Sequence, residues 1–336
     1  MENMNITISE NEKSQRLDKF LVQKFQDYSR AFLQKLINQE NIKVNNRKVK
    51  QGLILKVGDV ISIEIPEREG ISLEPDSSIK LDILYEDENV IVINNPAGLT
   101  VHPSENQKSG TLVNGLLAKY PEIKNVGDSS TDLTSLTISG QENSGQENLR
   151  PGIIHRLDKN TSGVMIVARN NEAFQFFKKE FQERRVIKKY IALVAGDISR
   201  ERGVINLPIA RKRKMPTKQV AVKNVRQARG TIREAVTEYR VLRHNISIEG
   251  KKFTLVEVLP KTGRLHQIRA HFSAIGHPVA GDLKYGPKNR VLLETLNRHF
   301  LHAESLEIDI PQGAGNSKKM IFLAPLPKEL KNLISI

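Results

Sequence analysis

Residues 150–168 read Arg150-Pro151-Gly152-Ile153-Ile154-His155-Arg156-Leu157-Asp158-Lys159-Asn160-Thr161-Ser162-Gly163-Val164-Met165-Ile166-Val167-Ala168. A short apolar run enters a polar turn, and a second run, Val164–Ala168, leaves it as a buried-strand signal. Working outward, Leu81–Tyr85 and Val90–Ile93 read as paired strands around the acidic turn Glu86-Asp87-Glu88. Asn95-Pro96-Ala97-Gly98 then breaks the chain. Further strands are predicted at Val186–Val194, Thr237–Leu242 and Phe253–Leu259. Helices are predicted at Glu172–Arg184 and Leu265–Ile275, the second closed by Gly276 as a left-handed terminator. Strands outnumber helices and do not alternate with them one for one. That pattern predicts an α+β fold with a largely antiparallel sheet rather than a doubly wound one.

Residues 14–66 read as a separate small αβ module. Leu17, Phe20 and Leu21 form one helical stripe; after a cap at Ser29, Phe32, Leu33, Leu36 and Ile37 form another. Ile42 and Val44, an Asn45-Asn46 turn and the alternation Ile61-x-Ile63-x-Ile65 behind Gly58 supply a short sheet. Arg30, Lys35, Arg47, Lys48 and Lys50 fall on polar sides. From charge alone they are either a solvated face or an RNA-docking surface. Residues 67–80, rich in Pro, Glu and Ser, read as a linker, and the second unit is expected over 81–330. Residues 126–148 lack any basic side chain and repeat Ser-Gly-Gln-Glu-Asn in tandem. They read as a solvated, disordered insertion without chemistry.

The 336 residues carry 52 Lys and Arg against 38 Asp and Glu, a net charge of +14. The excess is uneven: residues 1–66 carry +3, residues 67–148 carry −9, and residues 149–336 carry +20. Such separation points to a polyanion, foremost nucleic acid, because neutralising phosphates releases counterions. With 38% hydrophobic and 27% charged residues the chain is ordinary for a globular protein. No apolar run approaches the ~18 residues of a membrane span. Met1–Lys13, with three glutamates and no apolar segment, reads as neither a signal nor a transit peptide. The absence of cysteine excludes thiol catalysis and Cys-ligated metal sites and fits a reducing compartment. Neither phosphate-loop fingerprint nor a nucleophile-elbow motif occurs, so nucleotide hydrolysis, dinucleotide redox and serine hydrolysis lose their usual support.

Two polar clusters remain. In the first, one carboxylate, Asp158, stands among Arg150, Arg156 and Lys159. Neighbouring positive charge keeps such a carboxylate ionised, as a nucleophile or electrostatic stabiliser requires; an ion-paired surface turn would look the same. The second is Thr262-Gly263-Arg264-Leu265-His266-Gln267-Ile268-Arg269-Ala270-His271. On a helix, Leu265, Ile268, Phe272 and Ile275 make a buried stripe, with His266, Arg269 and Ser273 along its polar edge. Arg269 thus stands beside the core, where a guanidinium can reach a partly buried carboxylate or snorkel to solvent. Arg211-Lys212-Arg213-Lys214 opens a stretch to Arg233 with nine Lys and Arg and no acid, which reads as a basic, phosphate-contacting loop.

These motifs carry a specific likeness. His155–Gly163 resembles the catalytic motif of the RluA-type pseudouridine synthases, and Thr262–Arg269 resembles that family's later arginine motif. Ile93–Pro103 resembles its first motif, and Lys189–Val194 the strand that bears its active-site tyrosine. Residues 14–66 are similar to the S4 RNA-binding domain. Asn95 stands where the family usually has Lys, and Asn160 where Asp is frequent.

The resemblance implies a pseudouridine synthase fold with a mixed, mainly antiparallel central sheet behind the S4-like module. It also implies cofactor-free, metal-free isomerisation of uridine to pseudouridine in structured RNA, most naturally large-subunit ribosomal RNA. Transfer RNA is the alternative substrate, and a non-catalytic RNA-binding or ribosome-assembly protein the alternative function. By carry-over, Asp158 acts on a flipped-out uridine, Arg269 pairs with Asp158, and Tyr190 stacks on the base. His155, Arg156, Lys159, Arg264 and His266 are expected to contact substrate. Arg30, Lys35, Arg47, Lys48, Arg211, Lys212, Arg213 and Lys214 are expected to contact RNA more widely. A cytoplasmic monomer without membrane contact is expected.

Overall fold

The structure is a computed structural model that describes residues 2–25, 28, 30–65, 73–103, 107, 109–127, 150–287, 293–313 and 315–334, the side chains of residues 2, 3, 31, 35 and 216 aside. The cap expected at Ser29 and nearly all of the 126–148 insertion lie outside the described residues. The chain divides into two compact units.

In the first unit, β1 (Glu2–Thr7), β2 (Ile42–Val44), β3 (Arg47–Lys48) and β4 (Val60–Ile65) form an antiparallel sheet in the order β1-β4-β2-β3, joined by helices α1 (Leu17–Lys24) and α2 (Arg30–Asn38). Asn45 and Asn46, at φ 51° and 58°, make the two-residue turn between β2 and β3 that asparagine tolerates well. The alternation in β4 turns Ile61, Ile63 and Ile65 inward onto Leu17, Phe20, Leu21, Leu33, Leu36 and Ile37 from the helices. Each of these large apolar side chains contributes ~1.5–3 kcal/mol through burial. Asp18 is also fully buried, because Arg16, Arg30 and Gln34 all donate to its carboxylate. The bonds from Arg16 lead in holding that carboxyl well below the usual range.

The second unit opens with β5 (Ile83–Glu86), β6 (Val90–Asn95) and α3 (Leu112–Lys119). It continues through β7 (Ser162–Ala168), α4 (Asn171–Gln182) and β8 (Ile187–Ala195). Then follow β9 (Arg202–Asn206), β10 (Ile209–Lys212), β11 (Met215–Ala221) and β12 (Ala228–Arg233). β13 (Val236–Ile248), β14 (Lys251–Pro260) and α5 (Gln267–Ala274) come next, then β15 (Leu301–Pro311), β16 (Ser317–Leu323) and α6 (Lys328–Ile334). Among the described residues nine of these strands form one sheet in the order β5-β6-β7-β15-β8-β14-β13-β9, with β16 beside β15. Within it only β7 and β15 pair in parallel, which makes the sheet mixed and mainly antiparallel, as expected of an α+β fold.

Both faces of the sheet centre are covered. Along β8, Ile191 and Leu193 pack with Phe253, Phe300 and Leu330 on one side, whereas Ala192 and Val194 pack with Val256, Val258, Ile268 and Phe272 on the other. A strand buried on both faces reads as a continuous apolar run, which is the pattern of Ile191–Ala195.

Two sequence expectations change. The basic run opened by Arg211 is not a loop: it folds into an antiparallel three-stranded sheet, β11-β10-β12, with Arg213 and Lys214 exposed at the β10–β11 turn. A solvated strand of this kind offers no buried alternation from which to recognise it. Helix α5 is buried nearly all round, since Gln267, Arg269 and His271 are as inaccessible as Ile268. Its polar groups are satisfied internally: Gln267 donates to Val236 and Thr237, and His271 bonds to Thr237 and to the Leu207 carbonyl.

Candidate active site

The turn that carries Asp158 is fixed by the sheet itself. Gly163 lies directly across from Ala303 in the parallel β7–β15 pair. Its φ is +125°, and a Cβ there would stand 2.1 Å from the Ala303 carbonyl oxygen, so only glycine lets the strands close. Just before it, Thr161 Oγ1 lies 2.7 Å from His299 Nε2, and Ser162 Oγ lies 2.9 Å from His302 Nδ1. His302 Nε2 donates to the Ala324 carbonyl at 3.0 Å, so Nδ1 is the acceptor for the serine. The Thr161 amide closes the turn onto the Asp158 carbonyl at 2.8 Å.

Arg269 reaches this turn from α5. Its Nη1 donates to Asp158 Oδ2 at 2.8 Å, with the arginine side chain 9% and the aspartate 16% exposed. The other edge of the guanidinium is held by Asp282, which accepts from Nε at 2.7 Å and from Nη2 at 3.0 Å. Burial works against charge on Asp158, but His266 and Arg269 outweigh it and hold the carboxyl below its ordinary value. Burial pushes the His266 imidazole down to about 4, so at neutral pH the positive charge beside Asp158 belongs to Arg269. Asp282 accepts from both the guanidinium and its own turn. Among the described residues, by contrast, Asp158 Oδ1 accepts no hydrogen bond; His266 Nε2 stands 4.0 Å away, beyond hydrogen-bond distance.

His266 begins α5 in the left-handed region, at φ 53°. Its Nδ1 lies 2.8 Å from the Tyr285 hydroxyl, which also accepts the Gln219 amide at 2.9 Å. The hydroxyl therefore donates its proton to Nδ1, and the neutral ring presents Nε2–H towards Asp158. The Tyr285 ring lies under the Arg269 guanidinium, 5.0 Å from its centre. Tyr190 sits half-buried on β8, and burial followed by the charge of Asp158 pushes its hydroxyl up, keeping it neutral.

The remaining expected residues are dispersed. His155 stacks on Phe181 at 4.9 Å, and its Nε2 accepts the Ile166 amide at 3.0 Å. Burial pushes that ring down to about 3. Arg156 is exposed, with Nη1 3.3 Å from His102 Nε2. Lys159 is exposed and reaches Gln107 at 3.4 Å, while Arg264 Nε donates to the Glu234 carbonyl at 3.1 Å. Lys212 lines a cavity of about 180 Å³ with Lys218, Lys223 and Tyr285. In the first unit Arg30 donates to Asp18 at 2.7 Å, Lys48 pairs with Glu40 at 2.5 Å, and Arg47 is exposed. The Lys35 side chain lies outside the described residues.

Sequence reasoning missed Asp282, Tyr285, His299 and Lys188, whose ammonium burial pushes down to about 8. For Asp282 a signal existed: an acidic residue behind Gly281, ending the apolar run Pro278–Ala280.

The Asp158–Arg269–Asp282 cluster lies in a unit that follows, along the chain, an αβ module with exposed cations. The chain belongs to the RNA pseudouridylate synthase family, whose sequence model matches residues 89–274, and it carries an S4 domain over residues 15–61. It is 37% identical to an uncharacterised RNA pseudouridine synthase of Bacillus subtilis (strain 168), covering 99% of this chain and 98% of that one. It is 33% identical to the ribosomal large subunit pseudouridine synthase D of Escherichia coli O6:H1, over 98% and 93% of the two chains. Among solved structures, human RNA pseudouridylate synthase domain containing 1 superposes with a TM-score of 0.56 at 28% identity, over 77% of this chain and 90% of that one.

Proposed function

We propose that this enzyme converts uridine to pseudouridine in large-subunit ribosomal RNA, with Asp158 as the reacting carboxylate. The observation that carries the reading is the contrast between the two acids around Arg269. Both oxygens of the buried Asp282 carboxylate are engaged, by Arg269 and by the amides of Lys284 and Tyr285, whereas Oδ1 of Asp158 accepts no hydrogen bond among the described residues. Glycoside hydrolysis normally needs two working carboxylates. Here only one is available, which suits an isomerisation in which no water is consumed.

In this reading the target uridine leaves its stack so that the sugar meets Asp158, as base-directed enzymes require. The carboxylate, ionised at neutral pH, attacks or stabilises the ribose C1′ as its bond to N1 breaks. The uracil turns, C5 bonds to C1′, C5 gives up its proton, and N1 gains one. Atoms balance with no cofactor. Tyr190 stacks on the base, and His155, Arg156, Lys159, Arg264 and His266 contact the nucleotide or hold the pocket. Residues 14–66 dock RNA, 67–80 link, and 81–330 perform the chemistry.

Ribosomal RNA as the target is supported by full-length similarity to relatives named for the large subunit, and by the +20 carried by residues 149–336. Mapping pseudouridines in ribosomal and transfer RNA from cells with and without this protein tests it. Loss of sites confined to the large-subunit RNA is expected; loss confined to transfer RNA rejects that substrate. Free uracil among the products of the purified enzyme would instead mark an N-glycosidase.

A further inference from the structure

We propose that Asp282 is a positioning residue for the reaction: it fixes the Arg269 guanidinium by Nε and Nη2, so that Nη1 alone is left to hold Asp158. The inference deepens the reading of Asp158 as the reacting carboxylate and rests on it.

Arginine presents its donors in a rigid planar fork on a flexible stem, so whichever edge is captured determines where the other edge points. Asp282 captures the Nε–Nη2 edge in two bonds of 2.7 and 3.0 Å. Asp282 is itself anchored by its own turn. Its Oδ1 also accepts the amides of Lys284 at 3.0 Å and Tyr285 at 3.2 Å, and the residue is 1% exposed. The chain delivers it there through Gly281, whose φ of +72° and 2.0 Å approach of a would-be Cβ to the Arg298 carbonyl admit glycine alone.

The arrangement also sets the charge at the site. With both carboxylates ionised around one guanidinium, the cluster carries a net negative charge, and Arg269 supplies the directional donor to Asp158. Tyr285, three residues on, stacks against the same guanidinium and orients His266. One short turn therefore places both the guanidinium and the imidazole that face Asp158. An acid that merely neutralised a buried arginine would need neither two aligned bonds nor two backbone donors.

The test is a double-mutant cycle on the full chain, read by single-turnover kinetics and RNA binding. Asp282→Asn should slow the chemical step about 100-fold, the scale of an ångström-level misplacement, while KM stays at the wild-type value. In an Arg269→Met background the same change should cause no further loss, because Asp282 acts only through Arg269. Losses that multiply, or a raised KM with an unchanged rate, overturn the proposal. Should Asp282→Asn fail to fold, Asp282→Glu keeps the charge and extends it by one methylene. A slower rate is then expected with binding intact, and a wild-type rate overturns the positioning role. Asp158→Asn, measured alongside, separates the two claims. Full turnover there rejects Asp158 as the reacting group, whatever the Asp282–Arg269 coupling shows.

Discussion

Gly163 on β7 and Ala303 on β15 approach so closely that a Cβ on the glycine would lie 2.1 Å from the Ala303 oxygen and 2.6 Å from its nitrogen. This is backbone against backbone, with no flexible side chain to yield. Gly163→Ala must therefore part the parallel pair as well as adopt a φ that L-residues avoid. The expected cost is about 3 kcal/mol or more in urea unfolding, within the range of severe backbone and packing defects. Because Asp158 lies in the turn just ahead, turnover should fall with stability; an unchanged midpoint would mean that the strands are not held at this spacing.

Removing Arg269 should harm the fold as well as the chemistry. Arg269→Met leaves Asp282, fully buried, without the two bonds from the guanidinium. Breaking a buried pair by deleting one partner costs about 3–5 kcal/mol. Arg269→Lys keeps a charge but cannot bridge both carboxylates with a planar fork, so it should recover part of the stability and little of the rate. Chemical denaturation and single-turnover assays measure the two effects separately.

Stability should decline on mild acidification. Burial lowers His102 and His155 to about 3 and His266 and His299 to about 4. Each is neutral when folded and binds a proton near pH 6.5 when unfolded. The stability that burial of neutral rings requires is present above pH 6.5 and is lost as pH falls towards the folded values. Asp158 and Asp282, held below the carboxylate range, extend the loss with the same sign at lower pH. At pH 5.5 these four rings alone should take up roughly 3–4 protons on unfolding, and His271 and His302, also lowered by burial, add to them; the uptake is read as the slope of unfolding free energy against pH. A flat profile from pH 7.5 to 5 would show that these histidines are not buried as neutral rings.

The β10–β11 hairpin carries Arg211, Lys212, Arg213 and Lys214. Reversing the exposed charges of Arg213 and Lys214 should weaken RNA binding and flatten its dependence on salt by about 0.7–0.9 log units for each phosphate that is no longer neutralised. Uracil chemistry on saturating RNA should persist. An unchanged salt slope would return these residues to a solvated turn.

What the sequence revealed divides along physical lines. Strands β6, β7 and β8 were legible because both-face burial leaves unbroken apolar runs, β14 because Phe253–Leu259 is largely apolar and β-branched, and α1 and α2 because their stripes keep a helical period. The pairing of Arg269 with Asp158 was implied by the family resemblance; the stripe of α5 alone placed Arg269 beside the core, where a carboxylate or solvent was equally within reach. Strand β15 was missed because Leu301–Pro311 alternates with histidine and acids that are buried only by long-range pairing with β7, β8 and β16. Strand β12 was missed because it carries mostly exposed side chains, and β10 because it buries only Ile209 and Ala210 before its basic end. Gly281 flagged Asp282 as a turn acid, but not its partner: a bidentate clamp between positions 269 and 282 depends on the path of a glycine turn that spacing does not encode.

The most direct measurement is release of tritium from RNA whose uridines are labelled at C5, comparing the wild-type enzyme with Asp158→Asn. The amide keeps the size of the carboxylate and its oxygen can still accept from Arg269, so folding and RNA binding should persist. Tritium release and pseudouridine formation should both vanish. Turnover by Asp158→Asn near the wild-type rate would contradict the account at its centre.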